Sequence, residues 1–200
     1  MLRKIREHYG EEANEKWQRV ETKYYEFLKE WNKDLGGKKN FHNGKGGTYD
    51  CILILTYYVV CKEKTSFREI EELEENLILP SFEQMKFVDC NKAIWKKTLY
   101  RAFNVAQKKC DKWQDYKMEV LPYKKKQPIR YFFHSCPVAE FARRFGLEDI
   151  MPALCNVDFK SMALLKAKLV RFHTCVESDS CDYTIYGDKE AISPQEERQK

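Results

Sequence analysis

Long hydrophobic runs are missing from this sequence, and so is any segment with the character of an export signal. The most apolar stretch, CILILTYYVVC at positions 51 to 61, is eleven residues long, whereas a membrane-spanning helix needs about 20 apolar residues. The N-terminal stretch MLRKIREHYGEE has basic residues but neither an apolar core of signal-peptide length nor a small-residue cleavage site. We therefore predict a cytoplasmic protein with no membrane partner.

A strong excess of one charge is missing as well. The 36 basic and 31 acidic residues are mixed along the chain and give a net charge of +5, which is too small a bias to indicate a nucleic-acid partner. Hydrophobic residues make up 43% of the 200 positions and aromatic residues 14%. That content is enough to build the core of a globular protein.

The cysteines lack the spacing of a structural zinc site. There are eight of them, with no Cys-x-x-Cys pair and no adjacent Cys/His cluster. In a cytoplasmic chain of this size we expect reduced thiols rather than disulfides. Most of them fit the role of small buried apolar residues.

Glycine is scarce outside one segment, GGKKNFHNGKGGTYD at residues 36 to 50, which holds five of the eight glycines. This composition predicts the end of a helix followed by a flexible or tightly turned connection. The segment lacks the Gly-x4-Gly-Lys-Ser/Thr spacing of a phosphate-binding loop and follows no predicted strand. We therefore do not assign it to a nucleotide.

Helical spacing of apolar residues dominates the N-terminal half. It predicts a helix over about residues 2–35, a second that begins after the capping residue Ser66 and stops near Pro80, and a third over about 92–118. The apolar segment at about 49–63 permits a strand or a helix, and we prefer a helix at the centre of a bundle. An apolar stripe can bury within the chain or against a second copy, so a homodimer stays open.

The C-terminal half contains stretches rich in β-branched and aromatic residues. These predict strands at 128–135, 168–175 and 181–186, of which the last two pair antiparallel across a short polar loop. Two short helices, at about 137–145 and 147–155, follow the first strand. We predict an α+β fold in which a helical N-terminal half packs with a small antiparallel sheet and short helices.

This prediction divides the chain into three parts, although the first two are expected to form one integrated domain. They are a helical region at 1–118, an α+β region at 119–187 that carries the cysteine and aspartate motifs, and a charged tail at 188–200 that we expect to be disordered.

Cys136 differs from the other cysteines because Pro137 follows it. Proline is favoured at the first position of a helix, so Cys136 is predicted to be the N-cap. Its sulfur would then face unpaired amides and the positive end of the helix dipole, which favours the thiolate and lowers the pKa below about 8.5. The alternative is a buried thiol without a role. His134, predicted on the same strand face, is either a partner of this thiolate or a plain polar strand residue.

Cysteine and aspartate recur together downstream. Cys155 and Asp158 close the second short helix, and Cys181 and Asp182 open the last strand. Adjacent strand residues point to opposite faces, so only one of Cys181 and Asp182 is expected to face a common pocket unless the strand is bulged. Asp158 fits either an N-cap of the next helix or a base or substrate anchor.

The order of these motifs resembles that of the L-2-amino-thiazoline-4-carboxylic acid hydrolase family over about residues 130 to 187. Upstream, the resemblance is limited to a helical region with a Gly-Gly turn before an apolar helix. The motifs that carry it are Cys136-Pro137, Gly146-Leu147, Pro152, Cys155-x-x-Asp158, Thr174 and Cys181-Asp182.

The resemblance implies a hydrolase that opens a five-membered cyclic isothiourea carrying a carboxylate, a step on a bacterial route to cysteine through a carbamoylated intermediate. For this cleavage of a carbon-nitrogen bond in a cyclic amidine, we hypothesise that Cys136 attacks the carbon between nitrogen and sulfur. Asp158 would activate water or hold the exocyclic amino group, and Cys155 would shape or assist the pocket.

Substrate contacts are expected from a further set of side chains, of which an arginine would hold the carboxylate in a bidentate contact. The candidates for that contact are Arg143, Arg144 and Arg171. The expected substrate-binding residues are His134, Cys181, Asp182 and Arg171.

No cofactor is expected. The alternative is a catalytic zinc bound by Cys136, Cys155 and an Asp or His, with an open position for water. The alternative to an enzyme is a sensory module that binds a small molecule in the same cysteine-lined pocket without converting it.

Overall fold

The computed structural model describes residues 1–32, 47–112, 116–125 and 127–192. Most of the predicted glycine-rich connection lies outside these residues. The helices are α1 (Leu2–Tyr9), α2 (Ala13–Trp31), α3 (Gly47–Cys61), α4 (Phe67–Glu83), α5 (Ala93–Cys110), α6 (Pro137–Phe145), α7 (Met151–Cys155) and α8 (Val157–Leu164), with 3-10 turns at Gly10–Glu12 and Glu148–Ile150.

The first predicted helix is interrupted, so that α1 and α2 are separate elements. Gly10 ends α1 with a φ of 53°, and its N–H bonds to the carbonyl of Arg6. A positive φ has no steric penalty at glycine, which lacks a Cβ atom. The chain therefore turns at Gly10, and α2 packs back along α1.

The apolar segment forms a helix, as predicted. α3 packs against α2, α4 and α6, and Ile52, Leu55 and Tyr57 along it are fully buried. Its lack of a polar face is explained by neighbours on several sides.

Helix α4 begins as predicted but ends later. The Ser66 hydroxyl accepts a hydrogen bond from the N–H of Glu69 at 3.2 Å, which is the expected N-cap. The predicted stop near Pro80 is wrong, because the helix continues to Glu83. Phe82, in this last turn, packs against the core beneath the sheet, and that burial offsets the backbone hydrogen bond that proline cannot donate.

Four antiparallel strands form a single sheet in the order β1-β2-β4-β3. The strands are β1 (Lys117–Val120), β2 (Ile129–Ser135), β3 (Ala167–Val170) and β4 (Cys181–Gly187).

The end of one predicted helix and the end of one predicted strand differ from the prediction. The third predicted helix does not reach Met118, because Met118 lies in β1 opposite Phe133 and is buried against the sheet. β3 ends at Val170 rather than near residue 175. Beyond it, the carboxylate of Asp182 accepts the N–H groups of Phe172 and His173 and replaces the ladder partners that a longer strand would need.

Two hydrophobic cores lie side by side. One is built mainly by α1 to α4 with α6 and α7, and the other by the sheet with α5 and α8. The division predicted near residue 118 does not separate the two cores. Phe103 of α5, which precedes it, packs on the sheet, and Phe141 of α6, which follows it, belongs to the helical core. The α+β fold class is confirmed.

The start of the charged tail is docked, contrary to the expectation of disorder. The amide of Asn91 donates to Asp188 at 2.8 Å, and Lys96, which is 2% exposed, pairs with Glu190. Residues 193–200 lie outside the described part of the chain. Among the helices that are described, none has both the length and the apolar character needed to cross a membrane.

Candidate active site

Cys136 is the N-cap of α6, as predicted. The strand β2 ends at Ser135, Cys136 has extended backbone angles (φ −135°, ψ 114°), and Pro137 occupies the first helical turn. The thiol packs against both hydrophobic cores. The junction between a strand and a helix therefore places this sulfur where the two cores meet.

The expected low pKa of Cys136 is wrong for the free protein. Burial raises the pKa of the thiol to about 11, and the backbone amides of Ala139 and Val138 offset only part of that rise. Loss of hydration thus outweighs the attraction of the helix N-terminus for a thiolate. Cys136 is a neutral thiol at neutral pH until something adjacent takes its proton.

The four residues of the predicted set lie close together, although they come from separate elements. Charge on Cys136, Asp158 or Cys181 changes the pKa of Cys155, and charge on Cys181 changes that of Cys136. The start of α6, the end of α7, the first turn of α8 and the start of β4 supply these side chains. The four side chains are therefore near enough for charge on one to act on another.

Asp158 lies inside the first turn of α8, where Asn156 rather than Asp158 is the N-cap. Its Oδ2 accepts hydrogen bonds from the Tyr183 hydroxyl at 3.0 Å and from Nη1 of Arg171 at 3.3 Å. Burial raises the pKa of the carboxyl, while Arg171 and Tyr183 oppose the rise. The capping interpretation is thus wrong, and Asp158 is a partnered carboxyl group at the site.

Arg171 is held rigidly beside it. The guanidinium also donates to the carbonyl of Cys155 at 2.9 Å and to Oδ1 of Asn156 at 3.0 Å, and its side chain is 5% exposed. It lies over the rings of Phe159 and Tyr183. These contacts fix the plane of the guanidinium, as binding of a planar carboxylate requires.

An open cavity of about 310 Å³ is lined by Cys155 and Arg171, and its volume is at the lower end of the range for small-molecule sites. Three of its lining residues, Pro152, Cys155 and Thr174, belong to the motif set defined in the sequence. The lining residues are Glu148, Pro152, Cys155, Asn156, Phe159, Arg171, Phe172, Thr174, Val176 and Glu177.

His134 is not part of this group. Its ring is 48% exposed and pairs with Glu119 of β1 at 2.8 Å. On β2, Tyr131 points into the core while Arg130 and His134 are exposed. Cys136 lies beyond the strand end, where the chain turns into α6, so the two-residue spacing does not place it on the face of His134.

Cys181 and Asp182 point to opposite sides, as strand alternation predicts. Cys181 is buried near Cys136, whereas Asp182 binds the backbone amides after β3. The N–H of Cys175 donates to Cys181 Sγ at 3.0 Å. Hydrogen bonding from Cys175 lowers the pKa of Cys181, and the sequence did not indicate this pair of cysteines.

The other arginine candidates are engaged elsewhere. Arg143 donates to the carbonyl of Cys175, and Arg144 pairs with Glu30 at 3.7 Å and lies over the ring of Trp31. Of the three arginines considered from the sequence, Arg171 is the one that lines the cavity.

Cys51 and Glu74 lie next to this group, and the sequence did not single them out. Cys51 Sγ lies 3.6 Å from Oε1 of Glu74, and charge on Cys136 and Cys155 changes the pKa of Cys51. One signal was present: Glu74 falls between Ile70 and Leu77 on the apolar stripe of its helix, where a carboxyl group is out of place.

A ligand set for the zinc alternative is not found in the described ranges. They contain no group of three or more His, Cys, Asp or Glu side chains arranged to hold a metal ion.

Comparison with known proteins gives one match. The family model described as L-2-amino-thiazoline-4-carboxylic acid hydrolase matches residues 2–184. No curated protein and no solved structure matches the chain. The family match extends the resemblance from the C-terminal motifs to the helical half, including α3 and α4. The chain therefore belongs to the L-2-amino-thiazoline-4-carboxylic acid hydrolase family.

Proposed function

We propose that this protein hydrolyses a small cyclic isothiourea of the 2-amino-thiazoline-4-carboxylate type, with Cys136 as the nucleophile. The observation that carries the proposal is the cavity lined by Cys155 and Arg171. Asp158 bonds to Arg171 at 3.3 Å, and Cys136 lies near enough for its charge to act on the pKa of Cys155. Membership of the family supports the class of reaction.

The charges of the site fit both ends of such a substrate. Arg171 offers a fixed guanidinium to the substrate carboxylate, and Asp158 offers a carboxylate to the exocyclic amino group. The two side chains also pair with each other, so a substrate would replace part of that contact by contacts of its own. Binding at both ends would hold the reactive carbon between them.

The raised pKa of Cys136 fits a nucleophile that is activated by its own substrate. The ring nitrogen of a cyclic isothiourea is basic and can take the thiol proton as the sulfur bonds to the adjacent carbon. The carbon-nitrogen ring bond then breaks with its electron pair moving to nitrogen, which takes a proton and leaves as an amine. Water next adds to the same carbon, the bond to Cys136 breaks, and the sulfur regains its proton. The sum is the addition of one water molecule.

Turnover of 2-amino-thiazoline-4-carboxylate by the full chain tests this proposal, with the carbamoylated product measured by mass spectrometry. We expect Cys136→Ser to lower kcat/KM by roughly 10³-fold or more, because a nucleophile acts as part of a unit. Cys90→Ala is the matched control, since Cys90 is buried in the sheet core and the charged groups that act on it are not residues of the proposed site: Lys96, Asp89, Glu190 and Asp188.

A sensory module gives a different result. A ligand that raises the melting temperature of the protein but is recovered unchanged would contradict the hydrolase proposal. Near-full activity of Cys136→Ser would contradict the assignment of the nucleophile.

A further inference from the structure

Glu74 is a carboxyl group without a cationic partner in the described structure. It lies on α4, is 4% exposed, and the hydrogen-bond donor found for it is the thiol of Cys51, at 3.6 Å from Oε1 and 3.8 Å from Oε2. A thiol is a weak donor. Burial of a carboxyl group with so little compensation is unfavourable, and such exceptions are concentrated at functional sites.

The fold packs the helix of Glu74 against the helix that ends at Cys155 and the helix that carries Asp158. α4 packs against α3, α7 and α8. On α3, Cys51 contacts Glu74, and charge on Cys136 or Cys155 raises the pKa of Cys51. The titratable groups that act on Glu74 are Cys51 and Asp50 on α3 and Asp158 on α8. From α7, Cys155 acts on Cys51.

The two carboxyl groups, Asp158 and Glu74, differ in their partners. Asp158 is paired with Arg171 and accepts from Tyr183, which favours its ionised form. Burial raises the pKa of Glu74 to about 7, so that at neutral pH it carries a proton about half of the time. Arg171 and Tyr183 oppose the rise that burial causes in the pKa of Asp158, whereas Glu74 has no cationic partner in the described structure. Such a difference in partners suits an anionic anchor and a proton donor.

We propose that Glu74, positioned by Cys51, is the proton donor to the departing ring nitrogen, and that Asp158 is the anionic substrate anchor. This inference rests on the proposed ring-opening reaction. As the carbon-nitrogen bond breaks, the Glu74 proton moves to the nitrogen and leaves a carboxylate.

The second half of the reaction restores the acid. The Glu74 carboxylate takes a proton from the water that adds to the same carbon. The remaining hydroxyl proton then moves to the sulfur of Cys136 as the carbon-sulfur bond to the enzyme breaks. Glu74 is protonated again at the end of each cycle, and no proton is gained or lost overall.

The pH dependence of turnover tests this role, measured on the full chain with 2-amino-thiazoline-4-carboxylate. For Glu74→Gln we expect kcat to fall about 10²- to 10⁴-fold, the usual contribution of general acid catalysis. The decline of kcat/KM above about pH 7, where Glu74 loses its proton, should disappear as well. Glu74→Asp should keep that decline at a reduced rate.

Glu72→Gln is the matched control, because Glu72 lies on the same helix and pairs with Lys4 on the surface. Its rate and pH profile should equal those of the wild-type protein. Circular dichroism of each variant shows that it is folded.

The outcomes separate the two proposals. If the wild-type protein turns over substrate and Glu74→Gln keeps its rate and its pH profile, the role of Glu74 is wrong and the hydrolase stands. If the folded wild-type protein binds the substrate without turnover, the proposed function is wrong, and the role proposed for Glu74 is then wrong as well.

Discussion

Two opposing effects act on the pKa of the Cys136 thiol, and the larger of them sets the direction of the shift. A helix N-terminus contributes about 0.3–1 kcal/mol to a nearby anion and up to about 2 kcal/mol when partly buried, which is at most about 1.5 pKa units. Full burial shifts a pKa by up to about 3–5 units. The sequence identifies the helix start through Pro137 but not the depth of burial, so it predicts the N-cap and gives the wrong direction for the pKa.

This balance predicts the reactivity of Cys136 in the absence of substrate. Because its pKa is raised to about 11, alkylation by iodoacetamide should be slow at pH 7.5 and should still be rising above pH 9. The rate is measured by mass spectrometry of the peptide that contains Cys136. An alkylation midpoint below pH 8.5 in the folded protein would show that the thiolate is the resting form.

Glu74 should make stability depend on pH, with a sign opposite to that of a paired carboxylate. Burial raises its pKa from 4.5 to about 7, so the folded protein holds a proton that the unfolded chain releases above pH 4.5. The free energy of unfolding should therefore fall by roughly 3 kcal/mol relative to Glu74→Gln as the pH rises from 4 to 9.

Urea denaturation of both proteins at a series of pH values measures this difference. Since both are uncharged at this position below about pH 4, any constant offset reflects packing alone. Curves that run parallel from pH 4 to pH 9 would mean that Glu74 titrates normally.

At the scale of single elements, local patterns predicted the interior of most segments better than their ends. The cap at Ser66, the Cys136-Pro137 start of α6 and the helical nature of α3 follow from short-range chemistry and were predicted. The end of α4 beyond Pro80 and the end of β3 at Val170 depend on the burial of Phe82 and on the carboxylate of Asp182. The core residues that bury Phe82 are distant from it in sequence, and Asp182 lies ten residues from Phe172, so neither end has a local signal.

The N-cap of α4 provides a test at this scale. Ser66→Ala removes the acceptor for the Glu69 N–H and should lower the free energy of unfolding by about 1 kcal/mol. Ser66→Asp should retain most of the stability, since a carboxylate accepts the same bond and suits the helix N-terminus. Urea denaturation at pH 7.5 compares the two, and equal loss in both variants would contradict the capping role.

At the scale of the whole molecule, the site lies where the helical core meets the sheet core. The C-terminal half of the site, Cys136, Cys155, Asp158 and Cys181, could be predicted because these residues are ordered motifs in a short span. Cys51 and Glu74 could not, since only the packing of α3 and α4 against α7 and α8 brings them near. This packing explains why the proposed site includes residues from both halves of the chain.

The central claim is a covalent step at Cys136, and acid quenching of the reaction during turnover tests it most directly. We predict that mass spectrometry of the quenched wild-type protein and of the Cys90→Ala control shows an adduct with the mass of one substrate molecule on the peptide containing Cys136. Cys136→Ser should show neither adduct nor turnover. Substrate turnover by Cys136→Ser at a rate within a few-fold of wild type, with no adduct on either protein, would contradict the account.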